Sequence, residues 1–222
     1  MMIRPDEQSP TIARGTAEEV ATFLDDLAAG GDADGLHAMP AALVASVGEI
    51  LAGASGRAEV TLSDPQGYST HAITLSRAGV LRRSRGLTGP EELAVHSTGT
   101  VPGLLLRLAA LSPTEPLPAT VRLAAPAAET DALFSAMEAE RRAAWEALSG
   151  AAAALPPAAR PATDQAAPRA AQLLRHRPSG AHGAVVVMLR GRYLVPDAES
   201  STLHGVSPTG ASRALMSALL AP

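Results

Sequence analysis

The chain has no cysteine and no lysine, and its 222 residues include only one Trp, two Tyr and two Phe. Without cysteine there is no disulfide, no thiolate nucleophile and no Cys-ligated zinc site, which suits a reducing compartment, so a cytoplasmic location is expected. All 18 basic residues are Arg. Together with abundant Ala, Gly and Pro, that usage is the mark of a GC-rich coding sequence rather than of affinity for nucleic acid. A net charge of -4 gives no long-range attraction for DNA, RNA or anionic lipid. The basic stretches also lack the interleaved aromatics on which bases stack, so no nucleic-acid partner is expected. Long apolar runs are missing too. Those around Val101–Leu111 and Ala151–Leu155 are broken by Arg or Pro and are too short to span a bilayer. The opening MMIRPDEQSPTIARG has no apolar signal-peptide core, and no membrane insertion is expected.

What is present is a pattern stated twice. AEVTLSDPQGYSTHAITLSRAGVLRRSRG (Ala58–Gly86) and AAQLLRHRPSGAHGAVVVMLRGRYLVP (Ala170–Pro196) carry the same features in the same order. Each has an apolar run, a Gly-containing turn, a His followed by a β-branched run, a second Gly turn and a basic strand. Each then reaches a short strand with a His, LAVHS or TLHGV, and a Leu-rich helix begun by Pro. With few aromatics, the core must be built from Leu, Val, Ile and Ala.

The expected fold is α+β, with two quasi-equivalent halves. Each half is an antiparallel strand meander followed by a helix, with additional helices before each meander. Residues 1–15 read as a flexible N-terminal arm. Residues 16–149 form the first half, 150–168 an Ala/Pro-rich linker, and 169–222 the second meander and C-terminal helix, packed as one domain with the first half. Thr16-Ala-Glu-Glu19 is a capping box, after which Val20, Phe23, Leu24 and Leu27 fall on one helical face. Gly31–Gly35 (GDADG) reads as a turn, and a second helix starts near Met39. Thr100 is expected to cap a helix with Pro102 in its first turn, Thr120–Leu123 to form an extra strand, and Ala127–Leu148 to form one long helix. Ser207 and Pro208 start the last helix.

No motif with a catalytic mechanism is present: no G-x-S-x-G elbow, no phosphate-binding loop, no dinucleotide fingerprint and no H-E-x-x-H. Gly53-Ala-Ser-Gly56 is better explained as a helix C-cap than as a nucleophile turn. His176 and His182 lie six apart without a third ligand, so no metal site is assigned. His71 with His182, and His96 with His204, occupy similar places in the repeats, which favours shared packing roles over catalysis. The Arg runs within Arg77–Arg85 and Arg169–Arg192 are expected on a solvent face or along a sheet edge. The stripe with Phe134 and Trp145 reads as core. No cofactor and no enzymatic activity are expected. The turn Asp64–Thr70 presents Gln66 and Tyr68, a polar–aromatic pair suited to a partner surface. An ordinary hairpin turn accounts for the same residues.

The C-terminal run GRYLV (Gly191–Val195) followed by HGVSPTGASRALMSALL resembles the end of the EspG family of type VII (ESX) secretion-associated proteins. In that family a G-R-Y-L strand precedes a hydrophobic–x–Val–x–Pro element and a Leu-rich last helix. The middle, LAVHSTGTVPGLLLRLAALSP and ATVRLAAPAAETDALFSAM, is similar to the family's order of strand, Leu-rich helix, V-R-L-P-like strand and Ala-rich helix. The resemblance covers roughly Ala58–Pro222. It implies an α+β protein of two quasi-equivalent halves that is not an enzyme. It also implies a cytosolic chaperone that binds the hydrophobic tip of a PPE protein within a PE–PPE pair and keeps it soluble for export. The alternative is a non-catalytic interaction or scaffold protein with an unrelated partner.

Overall fold

The computed structural model describes residues 3–30, 39–114, 121–153, 167–177, 180–197 and 200–220. The expected turn at Gly31–Gly35, Thr120, and residues 154–166 of the expected linker lie outside the described residues.

The fold is α+β. Two short strands, β1 (Arg4–Asp6) and β2 (Ser9–Gly15), precede α1 (Ala17–Ala28) and α2 (Ala41–Ala52). The first meander is β3 (Ala54–Ser63), β4 (Tyr68–Ser76), β5 (Val80–Gly86) and β6 (Glu91–His96), followed by α3 (Val101–Leu108). Then come β7 (Arg122–Ala124), α4 (Ala127–Ala132) and α5 (Glu138–Ala153). The second meander is β8 (Arg169–Arg177), β9 (Gly180–Leu189), β10 (Arg192–Pro196) and β11 (Thr202–Val206), followed by α6 (Pro208–Leu220). Among the described residues the strands form one 11-stranded sheet in the order β1-β2-β6-β5-β4-β3-β8-β9-β10-β11-β7. The repeat read in the sequence is thus a repeat of elements, four meandering strands and a helix, running outward in opposite directions from β3 and β8.

Compact units do not follow the repeat boundary. One comprises Met1–Val60, Ser69–Leu104 and Arg175–Ala181; the other comprises Thr61–Tyr68, Leu105–Leu174 and His182–Pro222. The division runs across β3, β4, β8 and β9 rather than at residues 150–168, and Gly150–Ala153 belong to α5.

In the first unit, Thr16 and Glu19 form the capping box that starts α1. The amphipathic faces of α1 and α2 bury Val20, Phe23, Leu43, Val47 and Ile50 with Ala13, Leu81 and Leu93 of the strands. The segment read as a flexible arm instead forms β1 and β2, and β2 pairs antiparallel with β6 from Ile12↔Ala94 to Gly15↔Glu91. Its polarity is explained by cross-strand pairing: Arg14 bonds Glu92 through Nε at 3.2 Å and Nη2 at 2.9 Å, and also meets Asp6. The β5 arginines lie within the sheet, flanked by β4 and β6, not on an edge. Arg82 pairs with Glu92 at 2.6 Å and Arg83 with Glu91 at 2.5 Å, so adjacent glutamates on β6 serve opposite faces of β5. Thr100 does not cap α3. It closes a 3-10 turn, Thr98–Thr100, and its hydroxyl donates to the Ser97 carbonyl at 2.7 Å.

In the second unit, Leu123, Leu133, Phe134, Trp145, Leu148, Val187, Leu194 and Leu203 pack into one apolar cluster. The expected long helix is broken into α4 and α5. Ser135 explains the break: its Oγ accepts from Met137 N at 3.1 Å and donates to Glu140 at 2.6 Å, so the serine caps a new helix instead of continuing the old one. The G-R-Y-L motif is a hairpin followed by an anchor. Arg190 (φ 50) and Gly191 (φ 73) make the two-residue turn from β9 into β10, and the buried Tyr193 hydroxyl accepts from Ser112 N at 2.8 Å. This turn geometry favours Asn-Gly. Replacing Arg190 with Asn is therefore expected to stabilise the protein by roughly 0.5–1 kcal/mol, read as a higher urea midpoint at unchanged m-value.

Candidate partner-binding site

The second unit carries an open cleft of about 530 Å³, lined by Pro65 and Gln66 from the β3–β4 turn and by Glu138, Arg142, Trp145, Glu146 and Ser149 from α5. The turn is built by Asp64, whose Oδ1 accepts from Gln66 N at 2.7 Å and also from Gly67 N, while Asp64 N donates to the Gly67 carbonyl at 3.0 Å. An aspartate bonding its own downstream backbone fixes such a turn without help from the rest of the fold. Gln66 is held at the exposed tip.

The floor is Trp145, 1 % exposed, whose Nε1 donates to Ser63 Oγ at 3.2 Å; the Ser63 hydroxyl in turn donates to the Leu133 carbonyl. This chain satisfies the buried indole N–H and ties α5 to β3. The rim is charged: Glu138 pairs with Arg142 one turn on, and Glu146 is exposed. Met137, immediately before α5, is 64 % exposed. Trp145 itself lies too deep to meet a partner, so the apolar surface beside the polar rim comes from Pro65 and Met137.

Of the two residues selected from the sequence, Gln66 lines the cleft. Tyr68 stands two residues further along, half-buried, with the Arg141 guanidinium carbon 5.8 Å from its ring centroid. The α5 contributors escaped sequence reading. Their signal was the spacing 138, 142, 145 and 149, one face of a helix, but Trp145 on that stripe reads as core, and it is core.

Of the repeat-related histidines, His96 and His204 are both half-buried on β6 and β11, but His71 and His182 do not share a role. His71 is buried in β4, whereas His182 is exposed in β9. His71 Nδ1 meets Ser84 Oγ at 2.9 Å and Nε2 meets Ser69 Oγ at 3.3 Å. Ser84 also accepts from Arg82 at 2.5 Å. Burial, reinforced by Arg82 and opposed by Glu92, pushes the His71 imidazole from its ordinary 6.5 down to about 4. Among the described residues no group of three or more His, Cys, Asp or Glu side chains could hold a metal ion, and His176 and His182 are both exposed. No helix among them is long and apolar enough to cross a membrane.

Fold and cleft together define a class: an α+β protein with a duplicated meander and a helix-floored, polar-rimmed surface cleft. No protein-family model matches the sequence, and no curated protein matches it. Among solved structures, the chain is similar to that of the Mycobacterium tuberculosis type VII secretion system chaperone EspG5 in complex with a PE25–PPE41 dimer. The identity is 13 % and the TM-score 0.49, over 94 % of this chain and 96 % of that one.

Proposed function

We propose that this chain is a secretion chaperone resembling the EspG family, which binds the hydrophobic tip of a PPE-type substrate and keeps it soluble for type VII export. The observation that carries this reading is the C-terminal run GRYLV…HGVSPTGASRALMSALL: the residues that resemble the family's ending form β10, β11 and α6 of the second meander. The cleft supplies the physical means. A helical substrate with an apolar tip self-associates in water, and covering a large apolar side chain is worth about 1.5–3 kcal/mol, so a few anchors suffice. The working surface is the turn bearing Gln66 and Tyr68 together with the α5 face next to Met137.

The test is co-expression with a PE–PPE pair. The pair is expected to stay soluble and to co-elute with this chain. Gln66→Arg, a change at an exposed tip with no core role, is expected to weaken association about tenfold or more at unchanged thermal stability. A pair that neither co-elutes nor gains solubility counts against the chaperone role. A pair that binds the Gln66→Arg variant as tightly as the wild type counts against this cleft.

A further inference from the structure

Arg141 lies on the inner face of α5 and is 0 % exposed. Its Nη1 donates to the Ser135 carbonyl at 3.0 Å, and its guanidinium lies over the Tyr68 ring. Nε and Nη2 are buried and have no hydrogen-bond partner among the described residues. A guanidinium carries five N–H donors and no acceptor, and a buried charge left without a counter-ion is among the costliest arrangements in a protein. Of the three carboxylates on the same helix, Glu138 pairs with Arg142, Glu140 accepts from the Ser135 hydroxyl, and Glu146 is exposed, whereas Arg141 is buried. The two idle donors are not a random pair. Nε and Nη2 form the side edge of the guanidinium fork, spaced to grip both oxygens of one carboxylate.

We propose that Arg141 is a receptor for a carboxylate from outside the chain, with the Tyr68 ring as its cover. Outward displacement of Tyr68, at the start of β4, opens the Nε/Nη2 edge, and an entering carboxylate gains two charge-assisted hydrogen bonds in a site sheltered from water. The carboxylate is either an acidic side chain of a docked polypeptide or a free small carboxylate. This inference stands apart from the chaperone role, because its test uses no secretion substrate.

Trp145, the only tryptophan, sits one turn beyond Arg141 on α5 and serves as the reporter. The full chain is titrated with sodium acetate against sodium chloride at matched ionic strength and neutral pH. A saturable change in tryptophan fluorescence is expected for the wild type, none for Arg141→Met, and binding about tenfold weaker for Arg141→Lys, which keeps the charge but loses the fork. Tyr68→Ala is expected to bind at least as tightly as the wild type. A capped, alanine-based helical peptide with one central Glu, compared with its Gln counterpart, separates the sources. Tighter binding than acetate that depends on the Glu assigns a docked polypeptide; binding no tighter than acetate assigns a small carboxylate. Because Arg141→Met removes an unpaired buried cation, it is expected to melt no lower than the wild type. The proposal is overturned if Arg141→Met responds to acetate like the wild type, or if neither wild type nor Tyr68→Ala shows a saturable response. Inorganic phosphate binding where acetate does not, or an Arg141→Met variant that melts or unfolds like a core truncation, overturns it as well.

Discussion

Trp145→Ala is expected to cost about 3–5 kcal/mol of folding stability, the largest loss from any single truncation in the second unit. Trp145 is the largest fully buried side chain, and it packs in the cluster that joins α5 to β7, β9, β10 and β11 through Leu123, Val187, Leu194 and Leu203. Removing it opens a cavity among residues fixed by four different strands, which cannot collapse to fill it. It also deprives Ser63 Oγ of its donor. Trp145→Phe separates the two contributions: it keeps most of the apolar volume, loses the indole hydrogen bond, and is expected to cost about 1–2 kcal/mol. Urea unfolding followed by far-UV circular dichroism measures both variants, since each removes the fluorescent reporter. A loss below about 1.5 kcal/mol for the alanine variant would show that this position is not a load point of the core.

Acid should weaken the fold through His71. In the unfolded chain this imidazole takes up its proton as pH falls through 6.5, whereas in the folded protein burial and Arg82 delay uptake until about pH 4. Between those values the unfolded state binds more protons, so stability falls as pH is lowered, and below about pH 4 this residue adds no further loss. The geometry agrees with a neutral ring. Ser84 accepts from Arg82 and has its hydroxyl proton left for Nδ1, which leaves Nε2–H to donate to Ser69. With His71 only 8 % exposed, its contribution across the window is roughly 2–3 kcal/mol. The comparison is with His71→Gln, a neutral hydrogen-bonding side chain. Wild-type stability is expected to fall relative to the variant by that amount between pH 7 and pH 4, while carboxylate titrations shared by both cancel. Parallel stability curves would show that His71 is not held neutral.

The elements that sequence reading found are those whose cause is local. Thr16 with Glu19 announces α1 because both partners of the capping box lie within one turn, and the Ser207-Pro208 start of α6 is equally self-contained. The meanders are legible from alternation and Gly turns, and their duplication from their common order. What escaped reading depends on residues far apart in the chain. Ser9–Gly15 becomes a strand because Arg14 meets Glu92, 78 residues away, and nothing within the first fifteen residues records that partner. Arg82 and Arg83 resemble edge charges until the two faces of β6 supply Glu92 and Glu91. The break at Ser135 was local yet missed, because a Leu, Phe and Trp stripe outweighed one serine. The cleft itself was half legible: Gln66 stands out on its turn, but the facing wall is the α5 stripe that also carries the buried Trp145, and that stripe reads as core.

In the proposed complex an apolar helical tip docks on the β3–β4 turn and on the α5 stripe that carries Glu138, Arg142 and Ser149. Hydrogen exchange of the chain with and without a PE–PPE pair tests it most directly, because it reports both whether binding occurs and where. Slowed exchange is expected in peptides covering Asp64–Tyr68 and Glu138–Ser149, with β1, β2 and α1 unchanged. Unchanged exchange across those two segments, or protection confined to the first unit, would contradict the account.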